Sequence, residues 1–217
     1  ATPDRGAAIM VESVVAVKAA VNLPIQVQIE PPDRFEWFEE LKRSGADTLG
    51  MHLEVVSERV RQEIMPGKAK VPVSYYMEAF DAAVKVFGRG QVSTYIIAGL
   101  GDTQDEIVDM SHQLIERGVY PFIVPFVPIS GTPLESHPVP SSQFMIEVLK
   151  PVGQMLREAG MLSKDMKAGC GKCGACTEID AGRFVDLIEL DAASNTQVDN
   201  MRELLEGALY APTSGRY

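Results

Sequence analysis

The three cysteines of the chain lie together at a spacing that suits a metal. Cys170, Cys173 and Cys176 form a C-x2-C-x2-C run among glycines, and the 217-residue chain has no other cysteine. Thiolates at this spacing can converge on one zinc ion or hold an iron–sulfur cluster. The alternative is three unmetallated thiols on a glycine-rich turn. The spacing favours a metal site with these three sulfurs as ligands.

A tetrahedral metal site needs a fourth ligand, which this cysteine run does not contain. The sequence leaves the choice open among a carboxylate, a water molecule, the substrate, another chain and a histidine. The histidines available are His52, His112 and His137.

Composition and charge exclude several classes of protein. The chain is 46% hydrophobic and 23% charged, which argues against disorder, and no apolar run is long enough to span a membrane. A net charge of −10 disfavours direct binding to nucleic acid. The few, clustered cysteines are unlike a secreted disulfide framework. We therefore expect a cytoplasmic protein whose partner is a small-molecule substrate.

Helical and strand patterns alternate along the first 160 residues. Helices are predicted over residues 6–21, 35–44, 57–64, 75–87, 103–117 and 142–159, and strands over residues 23–30, 47–53, 91–98 and 120–127. This order is typical of parallel βαβ units in an α/β fold. A closed (β/α)8 barrel needs eight strands, so the four predicted here fit either an open sheet or a piece of a barrel.

Functional groups of parallel α/β folds lie where strands end, which points to four short segments. These are residues 30–32, 52–54, 99–102 and 128–131. Glu54 could bind an amine or a ribose hydroxyl, or could be a solvated loop residue. The glycines at 99 and 101 could admit a ligand to the backbone, or could form a tight turn.

Three segments resemble radical S-adenosylmethionine (SAM) enzymes. Residues 95–102, Tyr-Ile-Ile-Ala-Gly-Leu-Gly-Asp, resemble the G-x-I-x-G-x-x-E motif of the fifth strand, with Tyr95 at the first glycine and Asp102 at the glutamate. Residues 125–134 resemble the sixth-strand segment of biotin-synthase-like members, and residues 53–56 with 65–68 resemble the end of the fourth strand. Over residues 1–176 the chain is similar to the biotin-synthase-like proteins encoded beside nitrilases.

This resemblance implies a partial TIM-like (β/α) barrel, parallel strands 3 to 6, with SAM and a [4Fe-4S] cluster as cofactors of the intact enzyme. It implies that Ile97 and Gly99 lie against the adenine and that Glu54 lies near the ribose or methionyl end. Asp102 takes the acidic position of the motif, and the backbone at Ile129 follows beside the adenine.

One departure from the family concerns the radical chemistry. The cluster motif C-x3-C-x2-C is absent from the sequence, which fits a fragment that begins after the second strand. The resemblance therefore predicts a chain that is inactive alone. Cys170, Cys173 and Cys176 have another spacing, and at most they hold an auxiliary iron–sulfur cluster or zinc.

A different family is resembled after the cysteines. Residues 173–195 and 210–212 resemble the gamma/tau subunit of the DNA polymerase III clamp loader, and the resemblance covers residues 170–217. Residues 185–190 are predicted to form a strand and residues 197–209 a helix. No G-x4-G-K-[ST] loop is present. The organisation predicted is a partial barrel over 1–166, a cysteine motif over 167–176 and a clamp-loader-like βα fragment over 177–217.

Two unrelated families that meet at a shared cysteine–glycine stretch indicate a junction from a misassembled or recombined gene. Three functions remain as hypotheses: a radical SAM enzyme fragment, a clamp-loader fragment acting in replication with clamp-loader subunits as partners, and a non-catalytic metal-binding module.

Overall fold

The computed structural model describes residues 4–21 and 23–162, in which four strands alternate with six helices. The strands are β1 (Gln26–Gln28), β2 (Thr48–Gly50), β3 (Val92–Ala98) and β4 (Val119–Pro125). The helices are α1 (Ala7–Ala20), α2 (Glu36–Ser44), α3 (Glu58–Ile64), α4 (Val73–Phe87), α5 (Gln104–Arg117) and α6 (Ser142–Glu158). The predicted order of elements is confirmed. The predicted tail elements and the domain boundaries near residues 166 and 176 lie outside the described residues.

All four strands are parallel and pair in the order β1-β2-β3-β4. β1 and β2 are shorter than predicted, with three residues each. The reason is that the backbone beyond Gly50 turns its hydrogen bonds to β3, since the Met51 N–H donates to the Ser93 carbonyl at 3.0 Å. The segment Val127–Pro138 falls in a second compact unit and is described by itself.

Helix ends follow the capping signals of the sequence. The Ser57 hydroxyl accepts from the Val60 N–H at the start of α3. Thr103 and Glu106 form the predicted capping box of α5. The N–H of Thr103 donates to the Glu106 carboxylate and lowers its pKa. These caps fix where each helix leaves the sheet.

The sheet has an apolar face, which packs on helices. Side chains of a strand alternate between faces, so Val27, Leu49 and Ile96 share one side. They join a buried core with residues of α2, α4, α5 and α6. Neighbouring helices contact one another in the order α1, α2, α4, α5 and α6, and they form a layer along this face.

The opposite, inner face is polar and aromatic. The sequence stage expected residues 25–29 and 92–96 to present apolar side chains inward, but the alternation places Gln26, Gln28, Ser93 and Tyr95 there instead. The Tyr95 ring lies between the rings of His52, at 4.9 Å, and Phe122, at 5.3 Å. This side chain occupies the position where the radical SAM motif has glycine.

The described helices are also too short or too polar to cross a membrane.

Candidate functional site

A cavity of about 390 Å³ opens at the carboxyl ends of β1 and β2. Its lining is polar apart from Ile29, and consists of Arg5, Gln28, Glu30, His52, Glu54 and Lys68. The predicted strand-end segments 30–32 and 52–54 therefore meet at one place. Residues 5 and 68 come from outside the strands, from the start of the chain and from a 3-10 turn at Lys68–Lys70.

Two carboxylates share one lysine at this cavity. The ammonium of Lys68 lies 3.2 Å from a carboxylate oxygen of Glu30 and 3.0 Å from one of Glu54. The Lys68 side chain is 17% exposed, whereas Glu54 is 30% exposed, so the lysine lies deeper than the acid. Arg5 lies 3.9 Å from Glu30, and the Tyr76 hydroxyl donates to Glu30 at 3.1 Å. The cavity thus holds acids and bases in near balance.

The backbone at Glu54 is strained and held on both sides. Glu54 has a φ of +65°, which is the left-handed region that side chains with a Cβ avoid. Its N–H donates to the Tyr95 carbonyl at 2.8 Å, and its carbonyl accepts from the Ile97 N–H at 2.7 Å. Both hydrogen bonds join it to β3 and keep its carboxylate at the cavity. Strain of this kind persists only where neighbours hold it.

A buried arginine supports the segment that carries Glu54. Arg61 of α3 is fully buried, and its guanidinium donates to the carbonyls of Leu53 at 2.7 Å and Val55 at 3.2 Å. Two further donations reach the carbonyls of Lys68 and Val71. Arg61 therefore ties the backbone on either side of Glu54 to the backbone that carries Lys68. It fixes the distance between these two charged side chains.

Asp102 has a different environment from the one that the motif implies. It is only 4% exposed. One carboxylate oxygen accepts from the Val56 N–H at 2.7 Å, and the other accepts from the N–H and hydroxyl of Ser57, at 3.1 Å and 2.7 Å. Both oxygens are engaged by the turn before α3. Asp102 thus joins the β3–α5 turn to the end of the Glu54 segment.

Ile97 and Gly99 lie at the end of β3, next to Glu54. Ile97 is half-buried on the inner face of the sheet. Gly99 has a φ of +102°, and a Cβ there would lie 2.7 Å from the ring of Pro140. The glycine is therefore required by the Pro140 contact, independently of any ligand. Ile129 is exposed in the separately described segment Val127–Pro138.

The metal prediction falls mainly outside the described residues, where Cys170, Cys173 and Cys176 lie. Within residues 4–162, apart from Asn22, no three His, Cys, Asp or Glu side chains converge as a metal site would require. His52 borders the cavity, and burial lowers its pKa, with Lys68 acting in the same direction. His112 lies on exposed α5, 3.8 Å from Glu116.

Sequence reasoning missed three contributors to this site: Arg5, Lys68 and Arg61. Lys68 was noticed only as part of a family segment, and Arg61 was read as an ordinary helix residue. A signal exists for Lys68, since it follows Pro66-Gly67, a turn that stops α3 near the strand end. No periodic pattern distinguishes Arg61, because its burial depends on four carbonyls from separate segments.

Known proteins resemble two different parts of this chain. No family model matches the sequence. The bacteriochlorophyllide c C-7(1)-hydroxylase of Chlorobaculum limnaeum is 30% identical over 160 residues, which is 70% of this chain and 40% of that protein. The DNA polymerase III subunit tau of Salmonella typhimurium is 58% identical over 48 residues, 22% of this chain and 8% of that subunit.

The fold is also found among solved structures. Coproporphyrinogen III oxidase (HemN) from Escherichia coli, a radical SAM enzyme, superimposes with a TM-score of 0.55 over 81% of this chain and 43% of its own, at 13% identity. At that identity the likeness shows the fold alone. The described residues therefore have an α/β fold with a four-stranded parallel sheet, which corresponds to part of a TIM-like radical SAM barrel. The chain spans about two fifths of the hydroxylase and of HemN.

Proposed function

We propose that residues 4–162 are the SAM-binding part of a biotin-synthase-like radical SAM enzyme. The observation that supports this most directly is Glu54, which is held in a strained conformation beside the ends of β2 and β3 with its carboxylate at a cavity. Backbone strain concentrates at binding sites, where the surrounding structure maintains it. The fold supports the same proposal, since ligands of parallel α/β proteins bind at the carboxyl ends of strands.

The residues of the site have groups that fit SAM. The Glu54 carboxylate can accept hydrogen bonds from the ribose hydroxyls or from the methionyl ammonium. Ile97 offers an apolar surface to the adenine, and the turn at Gly99 leaves the end of β3 without a side chain. Under this proposal Asp102 acts as a positioning residue, because its carboxylate is occupied by Val56 and Ser57. The backbone at Ile129 stays a proposed adenine neighbour.

The lysine between the two glutamates gives the site a way to accept a charged ligand. An arriving ammonium group would compete with Lys68 for Glu54, and Lys68 keeps Glu30 as a partner when it gives up Glu54. Displacement of one ion pair by another costs less than leaving a partly buried charge unpaired.

In the intact enzyme, SAM would supply a 5′-deoxyadenosyl radical after electron transfer from a [4Fe-4S] cluster. The described residues contain no cysteine, so they offer no thiolate for that cluster. We assign no reaction step to them. The expected behaviour of this chain is SAM binding without cleavage, in the cytoplasm and without membrane or nucleic acid partners. The parent's substrate would be a small molecule.

Calorimetric titration with SAM tests this proposal. We expect wild-type binding, loss of about tenfold or more in affinity for Glu54→Gln, and no change for Glu63→Gln, an exposed glutamate of α3. Equal affinities of Glu54→Gln and wild type would contradict the assigned site. In a second assay, anaerobic reconstitution with iron and sulfide should give no 5′-deoxyadenosine, and robust cleavage would show that the cysteine run holds a catalytic cluster.

A clamp-loader fragment is the alternative function, and the 48-residue similarity to subunit tau favours it for that part of the chain. It would make clamp-loader subunits the partners. The sequence contains no phosphate-binding G-x4-G-K-[ST] loop. Equilibrium dialysis with ATP distinguishes the two functions, since ATP binding by the whole chain would support the alternative.

A metal-binding module is the third candidate, carried by the Cys170, Cys173 and Cys176 spacing. Zinc, or an auxiliary iron–sulfur cluster, would be held with fewer than four protein ligands. Cys173→Ser should then lower the metal content and leave the unfolding midpoint nearly unchanged. A large drop in that midpoint on chelation would instead make the metal a structural centre.

A further inference from the structure

Exposed large apolar side chains of the first compact unit are confined to the two ends of its helix layer. At the β1 end they are Ile9, Val15, Val17 and Leu23, and at the β4 end they are Val139, Ile146, Leu149 and Leu162. No large apolar side chain between residues 24 and 126 is exposed in this way. Such patches on a folded protein mark surfaces that bind another molecule.

Each apolar patch lies on an outermost helix. α1 contacts α2 and precedes β1, while α6 contacts α5, which packs on β4. α1 is apolar on most of its circumference, a pattern of helices that are covered on several sides. Its side chains at positions 15 and 17 are nevertheless about half exposed.

The outer edges of the sheet have the same property. Within the described residues, β1 pairs with β2 alone and β4 pairs with β3 alone. Each edge strand therefore presents a row of backbone N–H and C=O groups toward the side that carries an apolar helix face. An edge of this kind is a template for another strand.

We propose that two copies of this chain associate head to tail, so that β4 of each copy pairs with β1 of the other and α6 packs on α1. Four parallel strands from each copy give the eight that close a (β/α)8 barrel. A second copy meets both requirements at once, because each copy has one edge of each kind. The inner face with Gln26 and Tyr95 then becomes the barrel interior.

Closure also bears on the cavity at the strand ends. Gln28 and Glu30 line it from β1, the edge strand. In the proposed dimer the carboxyl end of the second copy's β4 lies next to them, so the second copy walls the cavity. The association itself does not depend on SAM binding, and it stands or fails separately from the proposed function.

A head-to-tail contact closes at two copies only if the rotation between them is 180°, and otherwise it continues as a filament. Light scattering after size exclusion should give twice the 23.7 kDa mass of one chain. Val15→Asp on α1 and Leu149→Asp on α6 should each yield monomers. Ser74→Asp, which adds the same charge at an exposed position of α4, should stay dimeric.

Mixing the two single variants sharpens the test. A mixed dimer has one contact in which both helices are changed and one in which both are native, so an equimolar mixture should recover part of the dimer. A symmetric contact of α1 with α1, or of α6 with α6, leaves one variant dimeric on its own. That result would overturn the proposal.

Hydrogen exchange checks which strands are covered. Amides of residues 25–29 and 119–125 should slow together by about tenfold or more as the protein concentration passes the dimer midpoint. Monomers at all accessible concentrations, filaments, or edge amides equally protected in the monomer would each refute the dimer. Equal protection in the monomer would mean that another segment of the same chain covers the edges.

Discussion

Glu54 and Asp102 are two carboxylates that follow neighbouring parallel strands, yet the structure uses them in opposite ways. Asp102 is buried and has three donors, all from Val56 and Ser57. Glu54 is partly exposed, has Lys68 as an ion partner and sits on strained backbone. A carboxylate with every oxygen occupied by the protein serves stability, while one that faces a cavity beside a mobile cation can exchange partners. Position after a strand therefore does not by itself identify a ligand-binding acid.

Arg61 connects this pair of environments, and its replacement should have the largest effect. Arg61→Met leaves the carbonyls of Leu53, Val55, Lys68 and Val71 without their donor, and we expect unfolding to become easier by about 3–5 kcal/mol. Urea denaturation followed by circular dichroism measures this. Arg61→Lys keeps the charge but reaches fewer carbonyls, so it should fall between methionine and wild type. A loss below 1 kcal/mol for Arg61→Met would show that water replaces the guanidinium.

Asp102→Ala should come next. It leaves the N–H groups of Val56 and Ser57 unpaired where there is little water, at a cost of about 2–4 kcal/mol in unfolding free energy. Denaturant titration checks the value, and Asp105→Ala on the exposed side of α5 is the control. If SAM affinity fell while stability stayed unchanged, Asp102 would be a ligand-binding acid like Glu54, and the contrast would be wrong.

Glu54→Gly should separate stability from binding. Glycine adopts the left-handed conformation without strain, so we expect the unfolding free energy to rise by up to about 1 kcal/mol, even though the Lys68 ion pair is lost. Affinity for SAM should fall in the same variant. Glu54→Ala serves as the comparison, since it loses the carboxylate but keeps the strain. Equal stabilities of the glycine and alanine variants would show that the conformation costs little.

The sequence predicted the α/β order and the parallel sheet because strand and helix periodicities differ and because caps such as Thr103–Glu106 are local. It also placed Glu30, His52 and Glu54 at strand ends that do meet. It could not predict the partners of those residues. Lys68 reaches Glu54 only because Arg61 draws together two segments, and the role of Asp102 depends on a turn 45 residues away in sequence. Contacts of this kind leave no periodic signal.

The smallest expected effect concerns His52, which shares the cavity with Glu54 and Lys68. Burial, and next the Lys68 charge, lower its pKa from the ordinary 6.5, while Glu54 and Glu30 oppose them. The unfolded chain therefore binds a proton at a higher pH than the folded protein does. Stability should be constant above pH 6.5, decrease as the pH falls from there to the lowered pKa, and level off below it. The carboxyl groups of Asp47 and Glu106, whose pKa values are lowered from 3.8 and 4.5, act in a more acidic window. Thermal melts at steps between pH 7.5 and 5, with His52→Gln as the control, separate these contributions. An unchanged slope in His52→Gln would assign the decrease to another group, and a slope that vanishes would place a neutral histidine at the cavity where Glu54 and Lys68 meet.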